Sequence, residues 1–383
     1  MRYLYIIIIG ILTLCSSCIE PPLHLPDENM LTEVTVKHTT ELKTAIGVDY
    51  DWKATWHYGW DETDQQLSGD TCYTMPTNYE VRRYYLGTAA QGKHTRDGLD
   101  NFTLFSNTFR RTFQYGYYDL LIWSNIDSDD GTQVLLVNET DLDSVKATTT
   151  VSRGMVRTTD LSTVVGLYNQ PEIFYSAYDR DLYISQDITD YDYFDDKENV
   201  WVKQLNATLR PLVYIYLVQI ILHNNDGRVK GVTGDAALSA MASGTCVNTG
   251  HTDNRPCMVY YSVRMKNDVD INGEKVDVIG GKLTTFGLCD MDGCSSTTSA
   301  QYAGSRTDLD NRVYYTLRFS NGTEKTYDAV VTDQCRKQCR GGVITIDIDC
   351  NQLTPPDSED GSAGNIFVPT VEDYEHVDYD IIM

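Results

Sequence analysis

The sequence predicts an all-β protein of two domains, each a sandwich or a barrel. Three observations carry this. Short stretches of alternating apolar and polar residues recur along the chain, and period 2 is what a half-buried strand requires. Gly, Asn and Asp punctuate these stretches, at Gly98, Gly116 and the run from Asp127 to Gly131, and regular turn signals between short strands mark sandwiches and barrels. The chain has 383 residues and no long segment with helical periodicity, while one domain holds about 100–200 residues.

In chain order, residues 1–17 come first as a leader. Arg2 precedes an apolar run from Tyr3 to Leu14, then Ser16, Ser17 and Cys18. A basic start, a short apolar run and small residues make a secretory signal. The run is shorter than the roughly 20 apolar residues that a spanning helix needs. A cysteine directly after the small residues resembles the bacterial lipoprotein signal. That resemblance implies that Cys18 is acylated, with palmitate-type chains, and becomes the first mature residue of a surface-exposed lipoprotein on the outer membrane. Cys15 stands three places before Cys18, where Leu is usual, and Leu14 lies one further back. Residues 18–27 form a spacer with Pro21, Pro22 and Pro26. Two β domains are expected beyond it, over 28–204 and 205–383.

The first strand candidate is Leu31–His38. In Asp51–Asp61, Trp52, Ala54, Trp56, Tyr58 and Trp60 alternate with Lys53, Thr55, His57 and Gly59. This reads as a strand with one aromatic face. Trp52, Trp56 and Trp60 then form either a glycan-stacking platform or the inner face of a sandwich. Further strands are expected at Asn78–Tyr85, Asn101–Phe105, Arg110–Tyr115, Tyr117–Ser124, Val134–Val137, Ile173–Ala177 and Leu182–Ser185. Asp187–Asn199 is rich in charge and has no apolar face, so it reads as a solvated loop near a domain boundary.

Leu209–His223 is the strongest strand signal. Leu212, Tyr214, Tyr216, Val218, Ile220 and Leu222 fall on one face, and the other is apolar apart from Gln219 and His223. Such a strand belongs at the centre of a sheet. Asn224-Asn225-Asp226-Gly227 has the residues of a hairpin turn, with Arg228–Val232 returning. Ala236–Ala242 is a short helix or a tucked loop. Strands are expected at Cys257–Met265, Lys275–Ile279, Lys282–Leu288, Arg312–Phe319, Lys325–Val331 and Val343–Ile348. A breaker-rich link, Thr354–Gly364, precedes a closing alternation at Val377, Tyr379 and Ile381.

The net charge is −24, from 55 acidic and 31 basic residues. This excludes nucleic acid, which needs a basic footprint, and adsorption to an anionic bilayer, so membrane attachment falls to covalent lipid. The 27 tyrosines suit half-buried strands and binding surfaces alike. Beyond Cys15 and Cys18 there are Cys72, Cys246, Cys257, Cys289, Cys294, Cys335, Cys339 and Cys350. An even set in an exported chain suggests disulfides, with buried thiols and a metal site as the alternatives. The chain lacks G-x-S-x-G, H-E-x-x-H and the phosphate loop. Asp268–Gly273 matches half a calcium loop, but Ile279 stands where a bidentate Glu belongs. No catalytic residue, metal ligand or cofactor site is therefore assigned.

Tyr214–Gly234, Leu238-Ser239-Ala240-Met241-Ala242, Leu23-His24-Leu25 after the lipid cysteine, and the acidic-aromatic Val371–Ile382 resemble the fimbrillin-like surface lipoproteins of Bacteroidales. Ala240 replaces the glycine of that family's Leu-Ser-Gly-Met-Ala signature. The resemblance implies two tandem transthyretin-like (Greek-key) β-sandwiches, displayed outside the cell. It implies a role as fimbrial anchor, accessory subunit or adhesin, with assembly by strand pairing. The implied partners are fimbrial subunits or host and bacterial surface ligands. The alternative role is a surface glycan-binding lipoprotein that uses its aromatic residues.

Overall fold

The computed structural model describes residues 31–40, 55–59, 76–87, 98–106, 108–124, 134–138, 142–151, 167–197, 200–292 and 308–356. Strands dominate them, as the alternation predicts.

The second half is built on Tyr214–His223. This strand pairs antiparallel with Glu274–Thr285 and parallel with Gly342–Asp349. Arg264–Ile271 adds outside Glu274–Thr285. Tyr214, Tyr216, Val218, Ile220 and Leu222 enter one core. Facing them is a second sheet, ordered Val229–Val232, Arg312–Phe319, Ala236–Ala242, Pro256–Tyr261 and Leu167–Tyr168. It contributes Val229, Leu238, Val259, Leu317 and Phe319 to the same core. The two sheets form a β-sandwich.

The first half repeats the layering. One eight-stranded sheet divides into two layers that stay joined only where Arg210 and Pro211 pair with Ser176 and Tyr175: Gly98–Leu104, Tyr79–Gly87, Gly116–Ser124 and Tyr175–Ile184 make the first, and Val200–Pro211, with Tyr193–Asp195 on it, Leu31–Thr40 and Thr108–Gln114 make the second. Val81, Leu120, Ile122 and Tyr175 from the first layer pack on Phe109, Phe113 and Leu209 from the second.

Main-chain pairing locks the halves together. The hairpin of Val134–Val137 and Lys146–Thr149 takes Gly244–Cys246 as a third strand. Beneath it Leu121 and Trp123 pack with Leu212, Val213 and Phe286. The expected boundary at 204/205 falls inside the strand Val200–Pro211.

Several expectations are corrected. Leu209–His223 is not one strand. Leu209–Pro211 ends the preceding strand, and the central one begins at Tyr214; Pro211 has no N–H to continue a ladder. Asn224–Gly227 does turn, with positive φ at Asn224, Asp226 and Gly227, but it is not a hairpin. Both edges of Tyr214–His223 are already taken, so Val229–Val232 crosses to the facing sheet and pairs with Arg312–Phe319. Glu274–Thr285 joins two expected strands, as does Tyr175–Ile184. Cys257–Met265 instead divides between Pro256–Tyr261 and Arg264–Ile271. Within Asp187–Asn199, Tyr193–Asp195 pairs with Val200–Val202. Of Asp268–Gly273, the first four residues end the strand Arg264–Ile271 and Asn272-Gly273 makes the turn to Glu274–Thr285, where Asp270 accepts the Gly273 N–H at 2.9 Å.

Ala236–Ala242 is a strand, with its register shifted between Leu238 and Met241. Ala240 sits in that bulge at φ +60°. The Asn311 side-chain amide donates to the carbonyls of Ser239 and Ala240, at 3.1 and 3.3 Å, and holds the distortion. A left-handed conformation costs a non-glycine residue about 1–2 kcal/mol. The extra unfolded-state freedom of glycine returns about 0.4–1 kcal/mol of that. Ala240→Gly should therefore raise stability by about 0.5–1 kcal/mol, read as a higher urea midpoint. A lower midpoint, the usual result of Ala→Gly in a strand, would contradict this geometry.

Candidate assembly surface

The central strand buries its second face as well. Leu217 and Ile221 lie there with Val276, Val278 and Val343, and they are covered by Trp56 and Tyr58 from the first half. Thr55–Gly59 is irregular rather than a strand. Trp56 is 5% exposed and Tyr58 3%, and the Trp56 indole N–H donates to the Gly59 carbonyl at 2.9 Å. Trp56 therefore offers no face to a sugar. Its aromatic alternation is legible as burial, but burial against a sheet of the other half. Trp52 and Trp60 lie outside the described residues, as do Cys18 and the closing alternation.

Gln219 fixes the segment in place. Its side-chain oxygen accepts the His57 N–H at 2.8 Å and the Tyr58 N–H at 3.4 Å. Its nitrogen donates to the Thr55 carbonyl at 2.6 Å and the Thr345 hydroxyl at 2.9 Å. A buried amide is stable only when its donors and acceptors are matched, and Gln219, fully buried, is matched on both atoms. Gly280 leaves room for the Tyr58 ring, which a Cβ there would strike. Lys266 donates to the Tyr58 carbonyl at 3.0 Å, with its ammonium 4.2 Å from the ring centre.

One sheet edge beside this patch is closed by side chains. Gly342–Asp349 pairs with Tyr214–His223 on one side. On the other lies the helix Thr332–Lys337 and the turn after it. Gln338 donates to the Val343 carbonyl at 3.0 Å and accepts its N–H at 2.8 Å. Gln334 does the same for Thr345, at 2.8 and 2.9 Å. Val343 and Thr345 are two residues apart, so both turn their N–H and C=O away from the central strand. The two amides reproduce the bonds that a neighbouring strand would make. An open edge is a template for pairing with another chain. The facing sheet presents Glu324–Val330 at its edge, with the Asp328 carboxylate 2.6 Å from Arg312, and charge there discourages pairing.

No group of described residues has metal-ligating geometry. No disulfide joins any two of the six described cysteines, which corrects the disulfide expectation for that set; Cys72 and Cys294 lie outside it. Cys257, Cys335, Cys339 and Cys350 pack in the second core as small apolar side chains. Burial pushes the Cys335 thiol up to about 12 and Cys350 to about 11, so neither is a nucleophile at neutral pH. His223 ends the central strand between Glu274 and Asp347, at 3.0 and 3.1 Å. The bond to Glu274 first, then that to Asp347, raises it above the ordinary histidine value.

No family model matches the chain and no curated protein matches it. Among solved structures it is similar to a candidate adhesin from Bacteroides ovatus, at 13% identity and TM-score 0.47, over 88% of this chain and 96% of that one. It is also similar to a candidate adhesin from Bacteroides thetaiotaomicron, at 8% and 0.44, over 84% and 92%. A third is the fimbrial anchor protein Mfa2 from Porphyromonas gingivalis, at 11% and 0.41, over 83% and 90%. The fold described above rests on this chain's own strand pairing.

Gln219→Leu removes the partners of two backbone N–H groups and one carbonyl. Each buried orphan costs about 1–3 kcal/mol, so three of them should cost the variant at least about 3 kcal/mol. Limited proteolysis should then cut at Thr55–Gly59 before global unfolding. Wild-type resistance at that site would contradict the clamp.

Proposed function

We propose that this chain is a lipid-anchored cell-surface protein that serves a fimbria-like assembly as anchor, accessory subunit or adhesin, through β-strand pairing. The fimbrillin-like residues at Tyr214–Gly244 support this reading, as does the leader that precedes Cys18. On the same reading the two sandwiches are transthyretin-like and the protein is not an enzyme.

One observation carries the anchor role. Leu31–Thr40, the first described strand after the lipid cysteine, is not an edge strand. It pairs in parallel with Val200–Pro211 from Glu33 to Thr40. It pairs antiparallel with Thr108–Gln114 from Leu31 to Lys37. Pulling on the lipid would shear two ladders at once, and many hydrogen bonds would have to fail together. An edge strand would peel away one bond at a time. The stretch from Cys18 to Leu31 spans at most about 45 Å when extended, so the first sandwich stays close to the membrane.

Cys18→Ala should move the protein from the membrane fraction to the soluble fraction, with the fold unchanged by circular dichroism. Capture of the wild-type protein from the cell surface should bring assembly subunits with it. Unaltered membrane fractionation of the variant would sink the anchor, and capture of no partner would sink the assembly.

A further inference from the structure

Tyr175–Ile184 and Val200–Pro211 touch at only one end, where Arg210 faces Ser176 and Pro211 faces Tyr175. Beyond that point they diverge. The first stays with Gly116–Ser124; the second turns into the other layer to pair with Leu31–Thr40. The divergence opens a wedge, and residues 248–250 of the second half line one side of it. That loop is held from both sides. The Ser176 hydroxyl donates to the Val247 carbonyl at 2.7 Å, and the Asn248 amide donates to the Leu142 carbonyl at 2.8 Å. The open cleft between the two strands measures about 300 Å³.

Its chemistry is mixed and polar. Asp179, Asn206, Thr208, Arg210 and Thr249 line it, and Ala177 and Ala207 add small apolar surfaces. Asp179 and Arg210 bring one formal charge of each sign. The lining suits neither a free cation nor a polyanion. The volume is at the lower end for small-molecule pockets, about 300–1,000 Å³, and Tyr178 and Leu212 are the large side chains with apolar surface in its lining. Flat polar groups spaced around small methyl-bearing surfaces match a ring that carries hydroxyls at its rim and C–H bonds on its faces. Burial first, and then the neighbouring Asp119, raise the Asp179 carboxyl above its ordinary value. A half-buried carboxyl of that kind gains from hydroxyl donors.

We propose that this wedge binds a single neutral sugar unit, free or at the end of a glycan. Asp179 and Asn206 take adjacent hydroxyls, and the apolar parts of Tyr178 and Leu212 meet a C–H face. The site needs neither the lipid nor strand pairing, and it lies away from Trp52, Trp56 and Trp60. It names a ligand class for the adhesin branch of the proposed function.

The test is saturation-transfer NMR on the full mature chain. The probes are glucose, galactose, mannose, fucose, N-acetylglucosamine and N-acetylgalactosamine, each also as its methyl glycoside, with lysine amide and inorganic phosphate as charged controls. Concentrations up to about 10 mM would fill most of a millimolar site. At least one neutral sugar should bind. A methyl glycoside that binds as well as its free sugar would place the site at a glycan end; loss with the glycoside would assign it to the free sugar. Asp179→Asn and Asn206→Ala should each weaken binding about tenfold or more. Thr208→Tyr, which fills the cavity from an exposed strand position, should abolish it without lowering Tm. If no neutral sugar binds, if only a charged control binds, or if the folded Thr208→Tyr variant binds as wild type does, the proposal is overturned.

Discussion

One buried amide sets the arrangement of the rest. Tyr214–His223 is covered on both faces, and its outward face carries a single fully buried polar side chain, Gln219. Left unmatched, that amide would cost about 1–3 kcal/mol for each orphaned group. The protein matches it with the backbone of Thr55–Tyr58 and the Thr345 hydroxyl. This brings Trp56 and Tyr58 onto Leu217, Ile221 and Val343, where each ring adds roughly 1.5–3 kcal/mol by burial. A segment of the first half thus becomes the lid on the second half's sheet. Thr345 meets Gln219 through its hydroxyl and Gln334 through its backbone, so the lid and the closed edge meet at one residue.

Much of the architecture was legible because it follows local rules. Alternation located Tyr79–Gly87, Gly116–Ser124, Val134–Val137 and Arg312–Phe319 to within a residue or two. The two apolar faces of the central strand announced its burial. What was not legible depends on contacts remote in sequence. The Trp56 and Tyr58 alternation has the period of a strand, yet what buries it is the sheet face of Leu217, Ile221 and Val343, far along the chain, where Gln219 holds the backbone. The turn at Asn224–Gly227 has hairpin chemistry, but occupied edges on both sides of Tyr214–His223 send the chain across the sandwich. The cysteines suggested bridges, and four of them are core packing. Nothing in the sequence around Gln334 and Gln338 announces a role; only the strand beside them shows their use. Ala240 is the converse case. It was noticed as a departure from a glycine, and the structure puts that position at positive φ.

The proposed role joins these features. A tether that enters an interior strand suits a protein held at a surface under tension. On the proposed role, the acidic balance of the chain leaves attachment to the lipid. Sheet edges defended by charge and by amides keep strand pairing under control, and the polar wedge between the halves offers a place for a small ligand apart from those edges.

Gln334 and Gln338 close an edge beside the core strand that would otherwise pair with another strand. Hydrogen exchange at the Val343 and Thr345 amides, in wild type and in the Gln334→Ala/Gln338→Ala variant, with sedimentation of both, tests it most directly. The account predicts slow exchange in the wild type, faster exchange at those two amides in the variant, and concentration-dependent self-association of the variant alone. Fast wild-type exchange at both amides, or a variant that stays monomeric with both amides protected, would contradict it.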